Sequence, residues 1–132
     1  MGASENKALV RRAYEGLSLS DTVFMDCLSD DVTWTFFGTH RFAGTFNGKQ
    51  DIQDRLLAPI ADVVESFKFH VDNLVAEGDQ VVVEGRGEAP TKDGRTYNNT
   101  YCIVVTVRKG QITRIREHLD SELVTTIFGP RG

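Results

Sequence analysis

Cysteine, proline and tryptophan are scarce in this 132-residue chain, at two, three and one copies. Cys27 and Cys102 stand far apart and form no C-x-x-C pair, so no zinc or redox motif is legible. Both are expected as small buried hydrophobes in a reducing compartment. Basic residues are not in excess. Fifteen Lys and Arg against 19 Asp and Glu give a net charge of -4, and the cations are scattered singly or in pairs. The electrostatic footprint of a nucleic-acid binder is therefore missing. No apolar run approaches the roughly 20 residues that span a bilayer. The opening MGASENKALVRR lacks a signal-peptide core, and Asn6 stands where a myristoylation signal needs Ser or Thr. The expected setting is the cytoplasm, with no nucleic-acid or membrane partner. His40, His70 and His118 fall on separate elements without acids at ligand spacing, so neither a metal nor a cofactor is expected.

What is present reads as a folded domain. Apolar residues make up 40% and charged residues 26% of the chain, ordinary for a globular protein. This length suits one domain, 1–132, that buries about two-thirds of its unfolded surface. Helical periodicity covers residues 5–17, with Ala8, Leu9, Ala13 and Leu17 on one face and Ser4 as a weak cap. A second short helix is expected from Ser20-Asp21, carrying Val23, Phe24, Cys27 and Leu28. VTWTFF, residues 32–37, reads as a strand. The glycine-punctuated GTHRFAGTFNG reads as a loop with brief extended pieces. A third helix is expected over 48–64, with Pro59 kinking it or ending it early. Three turn signals then divide strands at 67–76, 80–89, 96–108 and 111–119, an antiparallel meander. Ser121 to Phe128 reads as a short helix or an irregular tail. Helices and a first strand over 5–65, a meander over 66–120 and a tail over 121–132 make an α+β domain with helices against a curled sheet. Such a sheet leaves a cavity if the helices do not fill it.

Strand alternation nominates the side chains that would share this cavity. On 96–108 the more apolar set is Tyr97, Asn99, Tyr101, Ile103, Val105 and Val107. On 111–119 it is Thr113, Ile115, Glu117 and Leu119. Asn99 and Glu117 thus become polar groups on an apolar inner face, to be paired or wet. For 80–89 the pattern is ambiguous: Val82, Glu84, Arg86 and Glu88 are either solvated or close the floor of the pocket.

The order of elements, with SDDVTW at 29–34, FAGTFNGK at 42–49, GRTYNNTY at 94–101, KGQI at 109–112 and EHLD at 117–120, resembles the SnoaL-like branch of the nuclear transport factor two-like superfamily. The resemblance runs from about residue 5 to 120. It implies a cone-shaped α+β barrel, open at one end, with a curved antiparallel sheet wrapped around the N-terminal helices and a homodimer through the outer sheet face. Compared with ketosteroid isomerases, Tyr14 falls where those enzymes keep an oxyanion-hole tyrosine. Their base and their protonated acid would fall near Phe36 and Ile103, which exchange no proton. Compared with limonene epoxide hydrolase, Arg86 and Glu88 have the spacing of its Arg–acid pair, and Glu117 falls at its water-activating acid. The residues that hold the water there would fall at Trp34 and Phe36. SnoaL-like cyclases suggest His40, Glu117 or His118 as an acid–base group. Alternation turns Arg116 and His118 outward, and Asp120 is expected to finish the strand.

The resemblance therefore implies a pocket for a small apolar, polyketide- or steroid-like molecule. Glu117, Arg86 and Glu88 are the catalytic candidates, and Tyr14, Trp34, Phe36, His40, Leu56, Ile60, Asn99, Tyr101 and Ile103 the ligand-binding ones. The expected activity is cofactor-free acid–base chemistry of isomerase or hydrolase type. The alternative is a silent ligand-binding or dimer-forming module of the same fold.

Overall fold

In the computed structural model, which describes residues 2–20 and 22–131, helix α1 spans Ala3–Tyr14. It buries Asn6, Val10, Ala13 and Tyr14, a face rotated from the expected one, because Ala8 lies exposed. The helix stops before residue 17 since Gly16 takes a φ of 76°, open to glycine at little cost. That turn lays the chain against the edge of strand β3 (Lys68–Glu77): the Phe69 N–H donates to the Leu17 carbonyl at 2.9 Å, and the Gly16 N–H to the Phe69 carbonyl at 3.0 Å. An otherwise open sheet edge is thereby covered.

Helix α2 (Val23–Cys27) leads directly into β1 (Leu28–Phe36), which starts four residues before the expected strand. The cap expected at Asp21 lies outside the described residues. β2 (Gly44–Asn47) is the strand within the glycine-rich stretch. Next comes one helical segment in three parts: α3 (Gly48–Ile52), a π-turn (Gln53–Leu57) and α4 (Ala58–Val63). Pro59 neither ends nor precedes it. The wider π-turn sits where the proline ring would meet the carbonyl of Arg55, the steric conflict that breaks a regular α-helix.

The meander comprises β3 (Lys68–Glu77), β4 (Gln80–Glu88), β5 (Thr100–Arg108) and β6 (Gln111–Leu119), and α5 (Ser121–Phe128) closes the chain as a helix. β5 begins later than expected because residues 90 and 91 make isolated bridges with Thr96 and Val64 instead of extending the ladder. The sheet runs β2-β1-β6-β5-β4-β3. All neighbours are antiparallel except β1 and β6, which are parallel. A chain that leaves β1, forms the helices and returns last to its side arrives in that direction. The sheet is open, since β2 and β3 form its two ends. Register shifts in the β1–β6, β3–β4 and β5–β6 pairs supply the local bends that let it curl. The shift at Thr106/Val107 also explains why Ile112, not Thr113, is buried at the start of β6 while Ile115 and Glu117 keep the expected inward phase.

β4 settles the ambiguous pattern. Val81, Val83, Gly85 and Gly87 are buried, while Glu84, Arg86 and Glu88 are exposed. Cys27 is buried, but Cys102, expected inside, is exposed on the outer face opposite His118. Among the described residues no helix is long and apolar enough to cross a membrane.

Candidate functional site

Between the inner sheet face and the helices lies a cavity of about 410 Å³, within the usual range for a small-molecule pocket. Aromatic rings make most of its wall. Tyr14 meets Phe24 edge-on at 5.2 Å and Phe69 at 5.5 Å; Phe24 leans on Trp34 at 5.6 Å; Trp34 stacks on Phe36 at 5.4 Å. Phe69 continues the chain of rings to Tyr101 at 5.5 Å. Leu56 and Ile60 enter from the helical segment, and Ser18, Leu19, Ser20 and Gln53 rim the side nearest α1 and the π-turn. The arrangement follows from phase: β1 turns alternate residues Val32, Trp34 and Phe36 inward, and β5 does the same with Ile103.

Into this apolar box β6 projects one carboxyl. Glu117 is 4% exposed and lines the cavity. Burial pushes its pKa from 4.5 up to about 8; the Trp34 indole N–H, near the carboxyl but outside hydrogen-bond geometry, opposes this in part. No cation contributes to holding it, so desolvation prevails. Around it stand three phenols. Burial and the nearby Glu117 carboxyl push Tyr14 well above the ordinary range. Tyr97 is pushed up to about 12 by burial, and Tyr101, paired to the Tyr97 hydroxyl, rises for the same reason. The phenols are hydrogen-bond donors at neutral pH, not bases.

Eight of the twelve residues nominated from the sequence line the cavity: Tyr14, Trp34, Phe36, Leu56, Ile60, Tyr101, Ile103 and Glu117. Four do not. Arg86 and Glu88 lie on the opposite, solvated face of β4, where Arg86 pairs with Asp72 at 3.3 Å and Glu88 with His70 at 3.4 Å. The acid–Arg–acid set suggested by the epoxide-hydrolase comparison therefore does not assemble. The reason is strand period: with Gly85 and Gly87 inward, their neighbours must point out. His40 is buried behind Phe36, not at a cavity mouth. Its Nδ1 accepts the Phe42 N–H at 3.1 Å, and burial lowers its pKa, so it holds the loop as a neutral ring. His118 stacks on Phe37 at 4.6 Å outside the sheet.

Asn99, 1% exposed, ties elements together instead of lining the cavity. Its Nδ2 donates to the Tyr97 hydroxyl at 3.0 Å and the Asp120 carbonyl at 3.1 Å, and its Oδ1 accepts the N–H groups of Asp120 at 3.0 Å and Thr100 at 2.7 Å. Asp120 in turn caps α5, accepting from Glu122 and Leu123. Asn99→Ala leaves several part-buried backbone groups and the buried Tyr97 hydroxyl without partners. An unsatisfied buried group costs about 1–3 kcal/mol, so urea unfolding is expected to show a loss of roughly 2–4 kcal/mol.

Tyr97, Phe24 and Phe69 line the cavity without having been nominated. Tyr97 stood in the inward set and could have been found there. Phe24 and Phe69 carry no polar mark that separates a wall ring from a core ring. Among the described residues no group of three or more His, Cys, Asp or Glu could hold a metal.

The fold recurs in solved structures. TerC, co-crystallised with polyporic acid, superposes with a TM-score of 0.80 at 24% identity, covering 94% of this chain and 98% of that one. A candidate SnoaL-like polyketide cyclase from Jannaschia sp. CCS1 gives 0.75 at 17% identity, covering 96% and 93%. An uncharacterised protein of Mycobacterium tuberculosis is 25% identical over 121 residues, covering 91% of this chain and 92% of that one. A family model described as a SnoaL-like domain matches residues 10–115, most of the chain, and the chain therefore belongs to the SnoaL-like domain family.

Proposed function

We propose that this protein binds a small, mostly aromatic molecule in the cavity and moves a proton on it without a cofactor, Glu117 serving as the acid–base group. One observation carries the reading: the buried Glu117 carboxyl lines an aromatic cavity, with no cationic partner among the described residues. A pKa of about 8 makes the ionised form a stronger base than an ordinary carboxylate, and near neutral pH it both accepts and returns a proton. At pH 7 roughly a tenth of the molecules are ionised, so activity rises with pH until the group titrates. The reaction supported is enolisation: the carboxylate takes a proton from the carbon beside a carbonyl, leaving an enolate, and the resulting carboxyl returns it to that carbon or to a conjugated one. Isomerisation and cyclisation both start this way, which agrees with the candidate cyclase among proteins of this fold. The binding of polyporic acid by TerC likewise supports a small organic ligand. Hydrolysis through Arg86 and Glu88 is no part of this reading.

The proposal includes a homodimer through the outer sheet face, supported by the exposed Val75 and Phe37 there, and a reducing, cytoplasmic setting that suits two free thiols. The test uses 2-tetralone in D₂O, with loss of its acidic C–H signal followed by proton NMR. Exchange is expected to exceed the buffer rate and to rise with pH to a plateau above about 8. Glu117→Gln is expected to lower it at least about 100-fold, the scale of a lost general base. Exchange no faster than buffer at the plateau, or an unchanged rate in the variant, rejects the proposal.

A further inference from the structure

A second hollow, of about 300 Å³, is lined by the loop before β2, by the helical segment and by the stretch after α5. Phe42 belongs to its wall and also to that of the aromatic cavity. Its chemistry is the reverse of the cavity's. Three guanidinium groups line it, those of Arg41, Arg55 and Arg131, and among the described residues no acid does. In a chain of net charge -4 such a gathering is informative, because like charges in one hollow repel one another and attract counter-ions. Only one of the three is matched: Arg55 pairs with Asp51 at 2.9 Å. Arg41 donates one N–H to the Phe128 carbonyl at 2.9 Å, a neutral acceptor. Among the described residues the ion pairs include neither Arg41 nor Arg131. Burial lowers the His40 pKa and the Arg131 charge adds to this, so Arg131 stands near the loop that carries Arg41.

Aromatic rings hold two of the guanidinium groups in place. That of Arg41 lies over the Phe42 ring at 5.5 Å, and that of Arg55 over Phe46 at 4.9 Å. Phe42 is itself packed edge-on against Phe128 at 5.2 Å. A ring on the face of a guanidinium leaves its N–H edge able to donate. A donor already held in place loses less freedom when a ligand arrives.

We propose that this hollow is a phosphate site, in which Arg41, Arg131 and the remaining N–H groups of Arg55 bind a dianionic phosphoryl group. Its ligand is distinct from the molecule in the aromatic cavity. Two unmatched positive charges suit a group that carries about -1.5 to -2 charges at neutral pH and three strong acceptor oxygens. A carboxylate brings one charge in one plane, which a single arginine satisfies. Free phosphate and a phosphate monoester present the same group, and Ala43 and Pro59 in the wall offer apolar contact to the organic part of an ester. Proton transfer at Glu117 plays no part here, so the two proposals stand or fall separately.

The test is titration of the unaltered chain with sodium phosphate, phenyl phosphate and sodium acetate at constant ionic strength. The pH is held at about 7.5, above the second phosphate pKa of about 6. Calorimetry and the Ala43 amide ¹H–¹⁵N signal follow binding. One phosphate is expected per chain, with a Kd below about 1 mM and at least about tenfold under that of acetate, and the Ala43 signal is expected to move. Tighter binding of phenyl phosphate assigns the site to an ester, and equal or weaker binding assigns it to free phosphate. Arg41→Gln and Arg131→Gln are each expected to weaken phosphate at least about tenfold, the scale of one hydrogen bond to a charged group. Arg11→Gln, at an exposed position of α1, is expected to change affinity less than about twofold. No saturation by about 20 mM phosphate, acetate binding as tightly as phosphate, an unmoved Ala43 signal, or equal losses in all three variants would each overturn the assignment. The titrations of the unaltered chain decide the matter even if a variant does not fold.

Discussion

Between about pH 5 and about pH 9 the native state is expected to lose roughly 4 kcal/mol more than the Glu117→Gln variant does. The physical reason is the buried carboxyl. In the unfolded chain Glu117 releases its proton near the ordinary 4.5, whereas in the folded chain it holds it up to about 8. Below 4.5 both states are protonated and the full stability is present. From there upward unfolding releases a proton, so stability falls with pH, levelling once the folded state also ionises above about 8. The gap of about 3.5, at about 1.4 kcal/mol per pKa unit, sets the size of the effect. Other groups titrate over the same range, and the variant subtracts them. Urea midpoints across the range provide the measurement. Two parallel curves would mean that Glu117 is wet or paired, and the proton-transfer proposal would go with it.

Gly85→Ala is expected to cost about 3 kcal/mol or more, or to prevent folding. A Cβ at residue 85 would lie 2.5 Å from the His70 carbonyl oxygen and 2.5 Å from the Phe69 ring. The carbonyl belongs to the paired strand and cannot yield without breaking the ladder, the situation in which overpacking is most costly. Gly87→Ala meets mainly the far edge of the Phe67 ring, at 2.6 Å, and Phe67 lines the cavity. That ring has space to swing, so the expected cost is about 1 kcal/mol, accompanied by a smaller pocket and weaker binding of bulky ligands. Denaturant unfolding of the two variants side by side checks the contrast. A Gly85→Ala chain within about 1 kcal/mol of the parent would show that β4 does not carry the wall rings of β3 against its glycines.

The two glycines also explain what was and was not legible. The alternation on β5 pointed Ile103 inward, and that on β6 did so for Glu117, because each strand sets an apolar series against a polar one. β4 offers charged residues on one side and small ones on the other. Small residues signal nothing until the rings of Phe67 and Phe69 are seen above them, so Arg86 and Glu88 could be read into the pocket on spacing alone. Asn99 shows a different limit. Its inward phase was readable, but whether a buried amide faces a cavity or clamps the backbone depends on Asp120, 21 positions away. His40 misled for a related reason: flanking glycines suggest an open loop, and only its contact with Phe36 and its bond to the Phe42 N–H reveal it as a buried strut.

Local pattern alone determined the helices, the meander with its inward phase on β5 and β6, and the inward placing of Glu117, since each depends on periodicity and turn chemistry within a few residues. Tertiary structure alone decided which face of α1 is buried, that β1 runs parallel to β6, which side of β4 meets solvent, and that Trp34 and Tyr14 stand beside Glu117. These depend on contacts between segments far apart in the chain, where the same local pattern admits more than one packing and burial of the rings selects between them.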